Sequence, residues 1–245
     1  MKRITSPAHP LVKHWVKLQK NRSYRYSCKR ALVEGKKQVV ELCSREKAGR
    51  LAALSPLLLG EALLAEERLI VSEQVMRRVS CLEEPEGVFA EVPLPEESDL
   101  SFCRKLLALD RIADPGNLGT LVRTAFALGW EGLFFLDGCC DPFNDKAIRA
   151  SKGAVFRIPF ARGGWSRLET FLSPDCRRLA ASMEGGPPAL WPRSESGRLL
   201  LVLGSESSGI SEEARARCEL VSIPMNPLAD SLNVAVAGGI LMYSL

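Results

Sequence analysis

Five short and mostly apolar runs constrain this chain more than any other feature. LLALD (106–110), LFFLD (133–137), RRLAASM (177–183), LLLVLG (199–204) and LVSIPM (220–225) have strand length, and helix-forming stretches separate them. A strand that is apolar on both faces must be covered on both faces. The pattern therefore predicts an α/β fold with a mostly parallel sheet and helices on either side. The intervening helices are expected at 119–128, 143–151, 167–172 and 211–217, with an apolar last helix in LNVAVAGGILMYSL. No run approaches the ~18 apolar residues of a membrane helix. The opening MKRITSPAHPLVKHW lacks an apolar signal segment. A soluble, unsecreted, cytoplasmic protein with no membrane partner is expected.

The first hundred residues read as a smaller α/β unit. LVKHWVKLQK (11–20) places Leu11, Trp15 and Leu18 at helical spacing with lysines opposite, and Pro10 suits the first turn. ALVEG, then KKQVVELCS, read as strand and helix. RLIVSEQVMRRVS reads as a strand followed by a helix capped by Ser72, and GVFAEVPL as a last strand. LAALSPLLLGEALLAEE (51–67) fits strand or helix, because Pro56 and Gly60 interrupt its apolar character. PLPEESDLS (93–101) is proline and acid without periodicity. The expected division is 1–95, a linker at 96–103, and 104–245.

Charge is uneven. Residues 1–50 hold 14 Lys/Arg against 3 Asp/Glu, whereas residues 51–100 hold 3 against 11. A basic head with Trp15, Tyr24 and Tyr26 among its charges can follow a phosphate backbone and stack on bases, or can simply be a solvated face. The eight cysteines, at 28, 43, 81, 103, 139, 140, 176 and 218, form no C-x-x-C pair. His9 and His14 lie far from any cysteine cluster, so no metal site is expected. Reduced thiols, several of them buried, are the simpler expectation.

Three segments at predicted strand ends carry chemistry, where open α/β sheets bind ligands. In LALDRIADPGNLGTLVRTAFALGW (107–130), Asn117 is placed to cap a helix and Arg123 to project from its early part. LLLVLGSESSGIS (199–211) has the glycine spacing of a phosphate-binding loop, but Ile210 stands where the phosphate-pairing lysine would be. Glu206 would also repel a triphosphate, so nucleotide hydrolysis is rejected. A G-x-G-x-x-G fingerprint after an early strand is missing as well. In SIPMNPLADSLNVAVAGGILMY (222–243), Ser231 is placed to cap a helix that is unusually rich in Ala and Gly. Such a helix allows close backbone approach or tight helix packing.

In this order the segments resemble the SpoU (TrmH-like) branch of the SPOUT RNA methyltransferases. Asp114-Pro115-Gly116-Asn117-Leu118-Gly119 with Arg123-Thr124-Ala125 is similar to the family's first motif. Gly204-Ser205-Glu206 with Gly209 is similar to the second, and Ile223-Pro224-Met225 with Ser231-Leu232-Asn233-Val234 to the third. Ser151-Lys152-Gly153-Ala154 resembles a segment between the first two. ITSPAHPLVKHW and ALVEGKKQVVEL resemble the substrate-binding domain, similar to ribosomal protein L30e, that many members carry. Departures are NPLAD in the third motif, Ala235 where serine is common, and Ser207 for a frequent glycine.

The resemblance implies methylation of a ribose 2′-hydroxyl in RNA, ribosomal rather than transfer RNA, with S-adenosyl-L-methionine as donor and no metal. It implies a deep trefoil knot in the C-terminal domain and a homodimer that shares its active sites. Leu203, Gly204, Ile223, Met225 and Leu232 are the implied cofactor-binding residues. Asn117, Arg123, Glu206, Ser231 and Asn233 are the implied catalytic set. The family reading makes Arg123 the base, which conflicts with a guanidinium pKa above about 12. We expect Arg123 to orient the target phosphate and hydroxyl, an RNA phosphate to accept the proton, and Glu206 to position Arg123 or its own loop. The alternative is an RNA-binding protein that keeps the scaffold without catalysis.

Overall fold

The computed structural model describes residues 1–60, 62–187, 197–226, 228 and 230–245. The chain forms two compact units, residues 1–95 with 143–156, and residues 96–142 with 157–245.

The first unit is built on a five-stranded sheet, in the order β1 (Lys2–Ile4), β4 (Ala65–Val71), β3 (Ala48–Ala53), β5 (Val88–Pro93), β2 (Arg30–Glu34). β5 runs antiparallel to both its neighbours, and the other pairs are parallel. Helix α1 (Pro10–Lys20) starts with proline at its first position, as its sequence predicts, and buries Val12, Trp15 and Leu18. Leu11 is only half-buried, so the apolar stripe is rotated by one residue from the expected one. Helix α2 (Arg22–Cys28) was not expected, because RSYRYSC lacks an apolar stripe. Asn21 caps it by accepting from Tyr24 N, and the buried Arg25 ties it to the carbonyls of Leu18 and Gln19. α3 (Lys36–Cys43) and α4 (Glu73–Val79) follow, and Ser72 caps α4 as expected. The ambiguous stretch resolves into β3 and a 3-10 turn at Pro56–Leu59.

The second unit is a six-stranded, wholly parallel sheet in the order β11 (Glu219–Val221), β9 (Arg177–Gly186), β10 (Leu199–Gly204), β6 (Lys105–Asp110), β7 (Gly132–Leu136), β8 (Phe160–Gly163). Alternate residues of the central strands face opposite sides. Leu106, Ala108, Leu200 and Val202 pack with Trp165, Leu168 and Ala214, which belong to α7 (Trp165–Glu169) and α8 (Glu212–Arg217). On the other side, α9 (Val234–Ser244) packs on β10, and α5 (Pro115–Ala127) packs on α9. A Cβ added at Gly238 would overlap Leu121 and Leu203, so glycine is what lets α9 come this close. β11 is shorter than LVSIPM suggested, because Pro224 cannot donate to a ladder.

Two segments depart from a simple division of the chain. Residues 143–156, which carry α6 (Asp145–Ser151), leave the parallel sheet and pack within the first unit. There Tyr26 meets Phe143 edge-on, with ring centroids 6.4 Å apart. The segment 96–103, read from composition as a linker, packs on the second sheet. Leu100 is buried, and Glu97 pairs with Arg162 and Arg167 at 2.7 Å each. Among the described residues no helix is long and apolar enough to cross a membrane.

Candidate functional site

Strand order reverses between β6 and β10, which pair directly with Gly204 opposite Asp110. A crevice at such a switch point is where an open parallel sheet takes its ligand. The three sequence segments converge there.

Asn117 does not cap α5. Asp114 does, accepting from Asn117 N at 2.9 Å, with Pro115 at the first helical position. An Asp-Pro start is the stronger initiation signal, since proline needs no donor there and the carboxylate faces the positive helix end. Asn117 is thereby left with a free side chain. Its Nδ2 donates to Glu206 Oε1 at 2.6 Å. Asn233 Nδ2 donates to the same oxygen at 2.7 Å and to Asn117 Oδ1 at 3.1 Å. Asn233, and not Ser231, caps α9, its Oδ1 accepting from Ala235 N and Val236 N. The helix thus begins two residues later than expected, with Ser231 exposed ahead of it. One residue from each motif closes this triangle, and its single carboxylate oxygen takes two amide donors.

Arg123 lies outside the triangle. It sits in the second half of α5, six residues past Asn117, which turns it about 120° around the helix. It is exposed, and its side chain makes no hydrogen bond or ion pair with another described residue. Glu206 was expected to position Arg123 or its own loop; among the described residues its carboxylate instead bonds to Asn117 and Asn233, and no bond joins it to Arg123.

The 204–209 turn is held more tightly than its sequence suggests. Ser205 and Gly209 exchange backbone hydrogen bonds of 3.0 and 2.9 Å, and Gly209 has φ +61°. A Cβ on Gly204 would overlap the backbone of Gly209 and Ile210. Two residues that sequence reasoning passed over pin this turn from β6. Asp110, 2 % exposed, accepts from Ser211 N at 2.6 Å and from Arg111 Nε at 3.2 Å. Arg111 adopts φ +58° and reaches the Gly209 carbonyl with Nη2 at 3.4 Å. The signal for them was the carboxylate ending LLALD; the left-handed arginine gave none.

Beside the triangle lies a cavity of about 780 Å³. Leu203, Gly204, Ile223, Met225 and Leu232 all line it, as do Glu206, Ser231 and Asn233, whereas Asn117 and Arg123 do not. Pro227 and Ala229 of the NPLAD loop fall outside the described residues. The volume is that of a small-molecule site, which spans about 300–1,000 Å³. Its lining mixes aliphatic walls, the backbone of the 204–209 turn and the Glu184–Arg215 ion pair, 2.5 Å long. That suits an adenosine joined to a zwitterionic, cationic-sulfur chain. Burial, the larger cause, and its neighbour Cys139 push the Cys140 thiol up to about 12; Cys139, likewise buried, is raised to about 11. Both therefore stay protonated at neutral pH. Among the described residues no group of three or more His, Cys, Asp or Glu is placed to hold a metal.

The SpoU rRNA Methylase family model matches residues 104–243, and the MRM3-like substrate binding domain model matches residues 9–90. A 23S rRNA (guanosine(2553)-2′-O)-methyltransferase, RlmP, of Bacillus subtilis is 33% identical over 100% of this chain and 99% of its own. An AdoMet-bound rRNA methyltransferase from Sinorhizobium meliloti superposes with a TM-score of 0.84 at 28% identity, covering 99% of this chain and 96% of that one. AviRb from Streptomyces viridochromogenes, a SpoU methyltransferase in complex with AdoMet, does so at 0.82 and 25% identity, over 96% of each chain.

Proposed function

Because the chain belongs to the SpoU rRNA Methylase family, we propose that it methylates a ribose 2′-hydroxyl of ribosomal RNA in the cytoplasm, with S-adenosylmethionine as donor. The observation that carries the reading is the Asn117–Glu206–Asn233 triangle beside a cavity lined by all five expected cofactor residues. When bound, S-adenosylmethionine supplies an electrophilic methyl on a sulfonium, so no metal is required. Leu203, Ile223, Met225 and Leu232 provide apolar walls for its flat and aliphatic parts. Gly204 allows the turn to close beside it. Glu206 places a negative charge on the wall of a cavity that takes a cation. Asn117, Ser231 and Asn233 offer short polar groups to orient a hydroxyl. The close approaches at Gly204 and Gly238 suit a chain threaded as a trefoil knot, which belongs to the same reading.

Arg123 completes the site in this proposal from a second copy. Val236, Ile240 and Tyr243 form an exposed stripe on α9, and Phe126 and Leu128 are exposed at the end of α5. A homodimer that covers this face would carry Arg123 of one copy to the other's cavity. There the guanidinium orients the target phosphate and hydroxyl, and a phosphate oxygen of the RNA takes the proton. The double change Val236→Asp and Tyr243→Asp is expected to yield a folded monomer by light scattering, without methyl transfer. A variant that stays dimeric would show that another face is used.

The direct test is incubation with methyl-labelled S-adenosylmethionine and separate, unmodified 23S ribosomal and transfer RNA pools, followed by nucleoside digestion. Label is expected as a 2′-O-methylnucleoside in the ribosomal pool. Arg123→Ala should lower kcat about 10²–10³-fold, as expected for a lost transition-state donor. Arg123→Lys should rescue little, because one ammonium cannot replace a planar fork. Near-normal turnover with lysine would remove the guanidinium role. Absence of cofactor binding would favour an RNA-binding scaffold without catalysis.

A further inference from the structure

We infer that the first unit grips its RNA along one face of α1 and α2, through the uncompensated cations Lys13, Lys17, Lys20 and Arg22. The inference rests on the reading of the substrate as RNA and assigns the surface that holds it.

Residues 1–30 contain nine Lys/Arg and no Asp or Glu. Lys13, Lys17 and Lys20 recur at spacings of four and three, which aligns them on one helix face, and all three are exposed. The opposite face is committed to the core through Val12, Trp15 and Leu18. Among the described residues none of the four cations has an ion-pair partner. Elsewhere the pattern differs: Arg149, Arg162, Arg215 and Arg217 each close on a carboxylate. What sets α1 and α2 apart is a row of exposed cations within a thirty-residue stretch that has no carboxylate of its own.

Two rings hold this row in place. Lys17 Nζ lies 5.4 Å from the centre of the Tyr24 ring, and the Arg22 guanidinium 5.7 Å from that of Tyr26. Tyr24 is itself fixed, its hydroxyl 2.8 Å from His14 Nδ1. Cations parked over fixed rings lose less side-chain freedom when they meet a phosphate. Lysines act as point charges that tolerate any backbone register, which suits a strand of phosphates.

The test uses the full-length protein with Lys13→Gln, Lys17→Gln and Lys20→Gln combined, glutamine being as good a helix former as lysine. The probe is transcribed 23S ribosomal RNA, and binding is measured over a salt series. The slope of log K against log salt should fall by about 2–3, roughly 0.7–0.9 per lost phosphate contact. Far-UV circular dichroism and S-adenosylmethionine binding should be unchanged. A matched variant, Lys36→Gln, Lys37→Gln and Lys47→Gln, changes net charge equally and should lower the slope by less than one. Equal effects of the two triples, or an unchanged slope in the first, would overturn the assignment. In methyl transfer the first triple should raise KM for RNA and leave kcat intact. If wild-type protein transfers no label, the enzymatic reading fails, while the salt slopes still decide the surface.

Discussion

Gly204→Ala is expected to cost about 3 kcal/mol of stability in the second unit, the upper end for overpacking a tight site. It should also weaken S-adenosylmethionine binding, by a factor on the order of 10–100, because the displaced turn lines the cavity. The reason is what the new methyl meets. At Gly204 it overlaps the backbone of Gly209 and Ile210, which the Ser205–Gly209 pair and the Asp110–Ser211 bond hold in place. Backbone cannot swing aside as a side-chain end can. The contrast is Gly239→Ala, whose methyl would lie 3.7 Å from Thr124 Cγ2, in ordinary contact. There the helix should gain up to about 1 kcal/mol. Calorimetry with and without cofactor separates the two. A Gly204→Ala protein that binds the cofactor normally would refute the account of the turn.

Glu91→Ala should destabilise the first unit by about 3–5 kcal/mol, the range for breaking one partner out of a buried charged pair. Glu91 is 3 % exposed and lies beneath α1. Its Oε2 accepts from Trp15 Nε1 and Arg50 Nη1 at 3.0 Å each, and His14 Nε2 lies 3.4 Å from Oε1. Burial opposes its ionisation, yet His14 and Arg50 outweigh burial and hold its carboxyl down to about 2. An unfolded glutamate titrates near 4.3. The folded value is the lower one, so the stabilisation is complete above about pH 4.5 and is lost as pH falls through 2. Hydrogen exchange at the amides of β5 should therefore speed up in the variant at neutral pH. In the wild type it should do so only across that acid window. A variant within 1 kcal/mol of wild type would mean that Trp15 and Arg50 find other acceptors.

The parallel sheet was legible because strands covered on both faces leave unbroken apolar runs, as in LLLVLG. β8 was not, since FARG is half polar and sits at the sheet edge. α2 was not, because a helix held by Asn21 and by Arg25 reaching back to α1 needs no stripe of its own. In the site, the identity and order of the motif residues were readable, and the cavity collects all five expected cofactor residues. Their local duties were less so. Asp114 and Asn233 take the caps assigned to Asn117 and Ser231, because several polar residues compete near each helix start and only one meets the backbone donors. The clamp by Asp110 and Arg111 depends on pairing between strands almost a hundred residues apart, which no local pattern encodes.

The excursion of residues 143–156 imposes an order on biosynthesis. The first unit cannot assemble fully when residue 95 leaves the ribosome, because Phe143, Ala147 and Ile148 have yet to be made. At roughly 5–20 residues per second the missing piece follows several seconds later. Until then the nascent chain carries an unfinished hydrophobic surface, and an excised 1–95 fragment would carry it permanently. The two units of this protein are thus interleaved in the order of their synthesis.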